Sequence, residues 1–85
     1  MRLVFTPHGW EDYTCWQSAD RATLKRINRL IDAALRDPAS GIGKPEPLRH
    51  VLAGAWSRRI TEEHRLVYFV DGEDLVILQA RFHYK

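Results

Sequence analysis

Three consecutive segments decide the fold: Arg65-Leu66-Val67-Tyr68-Phe69-Val70, then Asp71-Gly72-Glu73-Asp74, then Leu75-Val76-Ile77-Leu78-Gln79-Ala80-Arg81-Phe82-His83-Tyr84. The outer two are rich in β-branched and aromatic residues, and the acidic, glycine-containing middle reads as a hairpin turn. Ala55 to Thr61 is a further β-prone run, set off by Glu62-Glu63-His64, so the second half of the chain has the spacing of an antiparallel meander. In the 65–70 run both alternating sets are apolar, Leu66, Tyr68 and Val70 as well as Val67 and Phe69. Such a strand is central and covered on both faces, and helices must supply one of the covers.

Those helices lie upstream. Thr6-Pro7 reads as an N-cap with proline at the first helical position, opening a helix to about Ser18. Trp10, Tyr13 and Trp16 fall three apart and form an aromatic stripe whose expected role is core packing. Asp20 caps a second helix in which Leu24, Ile27, Leu30, Ile31, Ala34 and Leu35 supply the amphipathic repeat, ending at Asp37-Pro38. Its other side carries Arg21, Lys25, Arg26, Arg29 and Arg36, expected to be solvated. Arg2 to Phe5 is a short β-prone run, and the stretch from Pro38 to Pro47, with three prolines and two glycines, reads as a loop. The expected class is α+β: two N-terminal helices packed on a mainly antiparallel, twisted sheet, all within one domain spanning residues 1–85.

Composition narrows the setting. One cysteine, Cys15, cannot form an internal disulfide, and no Cys/His spacing suggests zinc, so a reduced, cytoplasmic environment without metal or cofactor is expected. No run approaches the roughly 20 apolar residues of a membrane span, and no signal peptide is evident. The formal charge of +2 does not by itself demand a nucleic-acid partner. Arg58, Arg59, Arg65 and Arg81, however, fall on β-prone runs, whereas the acidic residues of that half crowd into turns.

The 75–84 run begins as apolar core and finishes as a cluster of cationic, acid–base and aromatic groups. Alternation sends Gln79, Arg81 and His83 to one face and Ala80, Phe82 and Tyr84 to the other. A histidine with an ordinary pKa of about 6.5 carries a proton near neutrality and arginine suits phosphate oxygens, which together suggest phosphoryl chemistry. Upstream, prolines flank Glu46 on both sides and display its carboxylate at low entropic cost, though a solvated linker glutamate fits as well. RNA carries its own nucleophile in the 2′-hydroxyl, so cleavage needs a base, an acid and cations on the phosphate. Glu46, His83 and Arg65 match these tasks in that order. Lys44, Arg59 and Arg81 are secondary candidates for phosphate contact, and Tyr84 for stacking or a hydroxyl contribution. His8, His50 and His64 are assigned to the surface, and Cys15 to packing.

The pattern of Gly43-Lys44-Pro45-Glu46-Pro47-Leu48, Trp56 to Tyr68 and Arg81-Phe82-His83-Tyr84, with Trp10-Glu11-Asp12-Tyr13 and Trp16-Gln17, resembles the YoeB toxins of the RelE/ParE superfamily. The resemblance implies a type II toxin that forms homodimers, is neutralised by a YefM-like antitoxin, and cuts mRNA in the ribosomal A site to leave a 2′,3′-cyclic phosphate. It places the base, phosphate-binding arginine and terminal acid at Glu46, Arg65 and His83, with Tyr84 assisting. Phe82 stands where tyrosine is usual, Arg49, a further candidate for RNA contact, where lysine is usual, and Lys85 extends past the usual end. The alternatives are a non-catalytic ParE-like binder of DNA gyrase and a ribosome-independent ribonuclease. A geometric condition attaches to the catalytic reading. If Val70 pairs directly with Leu75 and the ladder continues unbroken, Arg65 falls opposite Ala80, on the other face from His83. A β-bulge, a three-residue loop or an approach by Arg65 around the strand end is therefore required.

Overall fold

The computed structural model describes residues 1–49 and 52–82. Strand β1 (Arg2–Phe5) leads into helices α1 (Pro7–Ala19) and α2 (Arg21–Arg36), followed by strands β2 (Glu46–Leu48), β3 (Ala55–Arg59), β4 (Arg65–Asp71) and β5 (Asp74–Gln79). The strands form one sheet in the order β1-β5-β4-β3-β2, with β1 parallel to β5 and every other pair antiparallel. β4 is central, as its doubly apolar pattern requires, and Leu66, Val67 and Tyr68 are buried, but the expected cover on both faces is not complete: helices cover one face only, and Val70 near the end of the strand is exposed. The two helices pack over one face, where Trp16, Ile27, Leu30, Ile31 and Ala34 meet Leu66, Tyr68, Leu75, Ile77 and Ala80.

Local chemistry explains the helix boundaries. The Thr6 hydroxyl accepts the Gly9 N–H at 3.0 Å, and Pro7 occupies the first turn where no intrahelical donor is needed. Gly9, an unfavourable residue in a helix, is explained by close approach, since a Cβ there would lie 2.3 Å from the carbonyl oxygen of Ile77. The Asp20 carboxylate accepts the backbone N–H groups of Ala22 and Thr23 and the Thr23 hydroxyl. These hydrogen bonds, the hydroxyl first, hold its carboxyl below the ordinary aspartate range.

Three further sequence expectations change. Trp16 is buried, but Trp10 is half exposed, stacked on Tyr13 and edge-on to Phe5 at the margin of the core, because α1 turns only one edge of its aromatic stripe to the sheet. Glu46 lies on a short edge strand rather than in a loop, a position that tolerates Pro47. The last strand ends at Gln79, not Tyr84: Phe82 has φ +62°, a left-handed conformation incompatible with a continuing pleat.

The hairpin between β4 and β5 carries the irregularity that the unbroken register would forbid. Val70 pairs with Leu75 and Tyr68 with Ile77, yet Val67 pairs with Gln79, so β5 has one residue more than β4 between those rungs. Beyond this bulge Gln79 shares the face of Val67 and Ala80 enters the helix-side core. β1 stops pairing at Phe5↔Ile77, and α1 takes over from it. The buried Asp12 carboxylate accepts the Ala80 N–H at 3.1 Å, and the Trp16 indole donates to the Ala80 carbonyl at 2.9 Å.

Trp16→Phe keeps the ring but leaves the Ala80 carbonyl without its donor, so a loss of about 1–3 kcal/mol in urea unfolding is expected, with an unchanged m-value. Asp20→Asn retains an N-cap but cannot titrate. Because the folded-state pKa of Asp20 is lowered, its contribution is present above the unfolded value of about 3.9 and lost as pH falls through the folded value. The variant is expected to show a shallower decline of stability on acidification, measured by urea midpoints at successive pH values below about 5.

Candidate functional site

The sheet face away from the helices carries the polar residues of interest. Glu46, Ser57, Val67 and Gln79 form one cross-sheet row, and Arg59 pairs with Arg65 in the next. Lys44, Glu46, Ser57, Arg59 and Arg65 line a cavity of about 100 Å³ on this face. Three cations and one carboxylate thus share a small polar pocket. Like charges directly opposite each other disfavour strand pairing, so the Arg59–Arg65 rung carries a repulsion that a bound anion would relieve.

Each side chain is held from its own element. Arg65 opens β4, and its Nη1 donates to the carbonyls of Thr61 at 2.6 Å, His64 at 3.1 Å and Glu62 at 3.2 Å. One nitrogen is therefore spent on the β3–β4 turn, fixing the plane of the guanidinium beside the pocket. Glu46 is exposed and sits directly across from Ser57. The route into β2 is set by Gly43, at φ +84°, and Lys44, at φ +50°, and the Gly43 carbonyl accepts the Arg59 N–H at 2.7 Å. A Cβ at Gly43 would lie 2.6 Å from the Leu30 side chain, so only glycine brings this turn so close to α2.

Behind the pocket lies a residue that strand composition alone would assign to the surface. Arg58 is fully buried on the helix side of β3. Its Nε donates to the Tyr68 hydroxyl at 2.8 Å, Nη1 to the Ile42 carbonyl at 2.8 Å, and Nη2 to the carbonyls of Asp37 and Ser40 at 2.7 Å each. The Tyr68 hydroxyl in turn donates to the Pro38 carbonyl at 2.6 Å. Burial pushes the Tyr68 hydroxyl pKa up, with a partial offset from Arg58. The guanidinium thus gathers the carbonyls of the 37–42 loop, the segment that delivers Lys44 and Glu46. A run of glycines and prolines followed by adjacent arginines was the available signal, but only tertiary packing shows which arginine turns inward.

The remaining candidates are dispersed or outside the described residues. Arg49 is exposed just past β2, and Arg81 lies past β5 with its guanidinium 4.8 Å from the Phe82 ring; neither lines the cavity. His83 and Tyr84, with His50, lie outside the described residues. His64 is not simply a surface residue: it packs edge-on against Trp16 at 4.8 Å, and its Nδ1 accepts the Phe82 N–H at 2.8 Å. Among the described residues, no three or more His, Cys, Asp and Glu side chains converge as around a metal ion. No helix among them is long and apolar enough to cross a membrane.

An α+β sheet covered by helices on one side and bearing a cationic pocket on the other defines a class of small proteins to which known families can be compared. Residues 5–84 match the family model for the YoeB-like toxin of bacterial type II toxin-antitoxin systems. Toxin YoeB of Streptomyces coelicolor is 60% identical over 84 residues, covering 99% of this chain and all of that protein. The structure of a YoeB/ParE toxin from Agrobacterium tumefaciens superimposes with a TM-score of 0.95 at 52% identity, covering 99% of this chain and 100% of that one. The YoeB dimer of Staphylococcus aureus (TM-score 0.90, 44% identity) and a YoeB–YefM complex from the same organism (0.89, 41%) each cover 99% of this chain and 98% of theirs. The chain belongs to the YoeB family of type II toxins.

Arg58→Met removes four hydrogen bonds at once, leaving the carbonyls of Asp37, Ser40 and Ile42 without this donor while the Tyr68 hydroxyl keeps only its bond to Pro38. A stability loss of at least about 3 kcal/mol in denaturant unfolding is expected, with faster amide exchange at Arg59 as the Gly43 turn loosens.

Proposed function

We propose that this toxin is a metal-independent endoribonuclease that cleaves mRNA in the A site of the ribosome. The observation that carries this reading is the shared cavity on the open sheet face, where Glu46 stands among Lys44, Arg59 and Arg65. A phosphodiester brings the anion that relieves the Arg59–Arg65 repulsion, and the adjacent 2′-hydroxyl brings a proton for Glu46 to accept. In the proposed step O2′ attacks phosphorus, its proton passes to the Glu46 carboxylate, and the phosphorus–O5′ bond breaks. Arg65, with Lys44 and Arg59, stabilises the charge that grows on the non-bridging oxygens. His83 protonates the departing O5′, and Tyr84 assists, leaving a 2′,3′-cyclic phosphate and a free 5′-hydroxyl. The reaction needs no cofactor, because the nucleophile belongs to the substrate.

Arg49 and Arg81 are proposed to contact RNA outside the cleavage pocket, along the strand ends that frame it. The S. aureus dimer and its YefM complex support a homodimer that binds a YefM-like antitoxin; inactivation by that antitoxin and a cytoplasmic setting are part of the proposal. Antitoxin binding should survive substitutions confined to the open-face pocket.

Replacing the 2′-hydroxyl at the cut position with hydrogen should abolish cleavage on programmed ribosomes, and continued cutting of that substrate would overturn the mechanism. Glu46→Gln and His83→Ala should each lower kcat by about 10²–10⁴-fold while retaining fold and antitoxin binding. Cutting of naked RNA at the same rate would favour a ribosome-independent ribonuclease. Toxicity that survives both substitutions and first appears as DNA damage would favour gyrase binding.

A further inference from the structure

We infer that His64 is a positioning residue for the proposed cleavage, holding the backbone turn at Phe82 through its unprotonated Nδ1. This inference rests on the ribonuclease reading and deepens it by connecting the phosphate-binding Arg65 to the segment that carries the proposed acid.

Phe82 adopts φ +62°, a conformation disfavoured for any residue with a Cβ and maintained only where its surroundings over-determine it. Its backbone is held at both polar groups. The N–H donates to His64 Nδ1 at 2.8 Å, while the carbonyl accepts the Arg65 N–H at 3.0 Å and Gln79 Nε2 at 3.2 Å. Gln79 Nε2 also donates to the Arg81 carbonyl at 2.7 Å, so the bend is fastened on either side of the Phe82 amide. The Phe82 ring lies 5.5 Å from the imidazole.

His64 is itself fixed. Its ring packs edge-on against buried Trp16, its N–H donates to the Thr61 hydroxyl at 3.2 Å, and its carbonyl accepts the Ile60 N–H at 3.0 Å. That same carbonyl accepts Arg65 Nη1 at 3.1 Å. One residue thus orients the guanidinium of its neighbour through its main chain and the Phe82 turn through its side chain. The Phe82 carbonyl oxygen is held by two donors, and the next residue in the chain is His83. The arrangement requires the imidazole to carry its proton on Nε2, since a hydrogen on Nδ1 would face the Phe82 N–H.

His64→Asn places an amide oxygen near the position of Nδ1, His64→Gln carries its oxygen farther out, and His64→Phe keeps a ring on Trp16 without an acceptor. Ribosome-programmed cleavage and Phe82 amide exchange should be measured on all three beside the parent. The expected result is a fall in kcat of at least tenfold for His64→Phe and His64→Gln, with KM within about twofold, recovery to within about threefold of the parent in His64→Asn, and faster Phe82 exchange wherever kcat falls. Should His64→Phe fail to fold, the Asn and Gln pair decides. Equal kcat in these two, or parental kcat in any variant whose Phe82 amide has lost protection, overturns the inference alone. A parent protein that cuts nothing overturns the ribonuclease reading, and the inference falls with it.

Discussion

The two backbone groups of Ala80 carry the constraint on which the open face depends. β1 is too short to pair with β5 beyond Ile77, so Ala80 must find its partners elsewhere, and α1 provides both through Asp12 and Trp16. A buried peptide group left unmatched costs about 1–3 kcal/mol, which makes this position more demanding than neighbouring residues with a strand on each side. Ala80 turns into the helix-side core, Gln79 joins the row of Val67, and the chain reaches Arg81 and Phe82 in step with Arg65.

The loop side of the pocket itself is held by a different device. Arg58 is a buried cation that forms no ion pair with any described carboxylate, and its charge is met by three carbonyls and a tyrosine hydroxyl. Such an arrangement tolerates no partial loss, since each acceptor is matched to a fixed fork of donors. It lets a segment rich in glycine and proline, with little apolar content of its own, present Lys44 and Glu46 at a defined place. The margin that carries Lys44 and Glu46 is therefore set from the helix side of the sheet, although the cavity opens on the other, while Arg65 is set by the carbonyls of the β3–β4 turn.

His64 stands where these two supports meet the pocket. Its ring reaches back to Trp16, its carbonyl reaches Arg65, and its Nδ1 reaches Phe82. Packing, guanidinium orientation and a strained turn are joined through one side chain and its peptide group. Around the cavity cations exceed carboxylates, and a fixed set of like charges keeps an unmatched positive field where a flexible set would move apart, which suits the phosphate of the proposed reaction.

The class of fold was legible from periodicity. The apolar repeat from Leu24 to Leu35, the caps at Thr6 and Asp20, and the doubly apolar run from Leu66 to Val70 each fix a local element by its own chemistry. Strand alternation also made it a condition of the catalytic reading that a bulge, a three-residue loop or an approach by Arg65 around the strand end interrupt the simple register. The location of the bulge was not legible, because a bulge is chosen by whatever can satisfy the displaced peptide, here Asp12 and Trp16, 64 or more residues away in sequence. Composition named Glu46 and Arg65 among other candidates, but their meeting around one cavity depends on the sheet register. The elements and the stock of reactive groups follow from near neighbours along the chain. Which arginine is buried, where the last strand ends and that His64 faces Phe82 follow from packing between distant segments, whose partners no local pattern encodes.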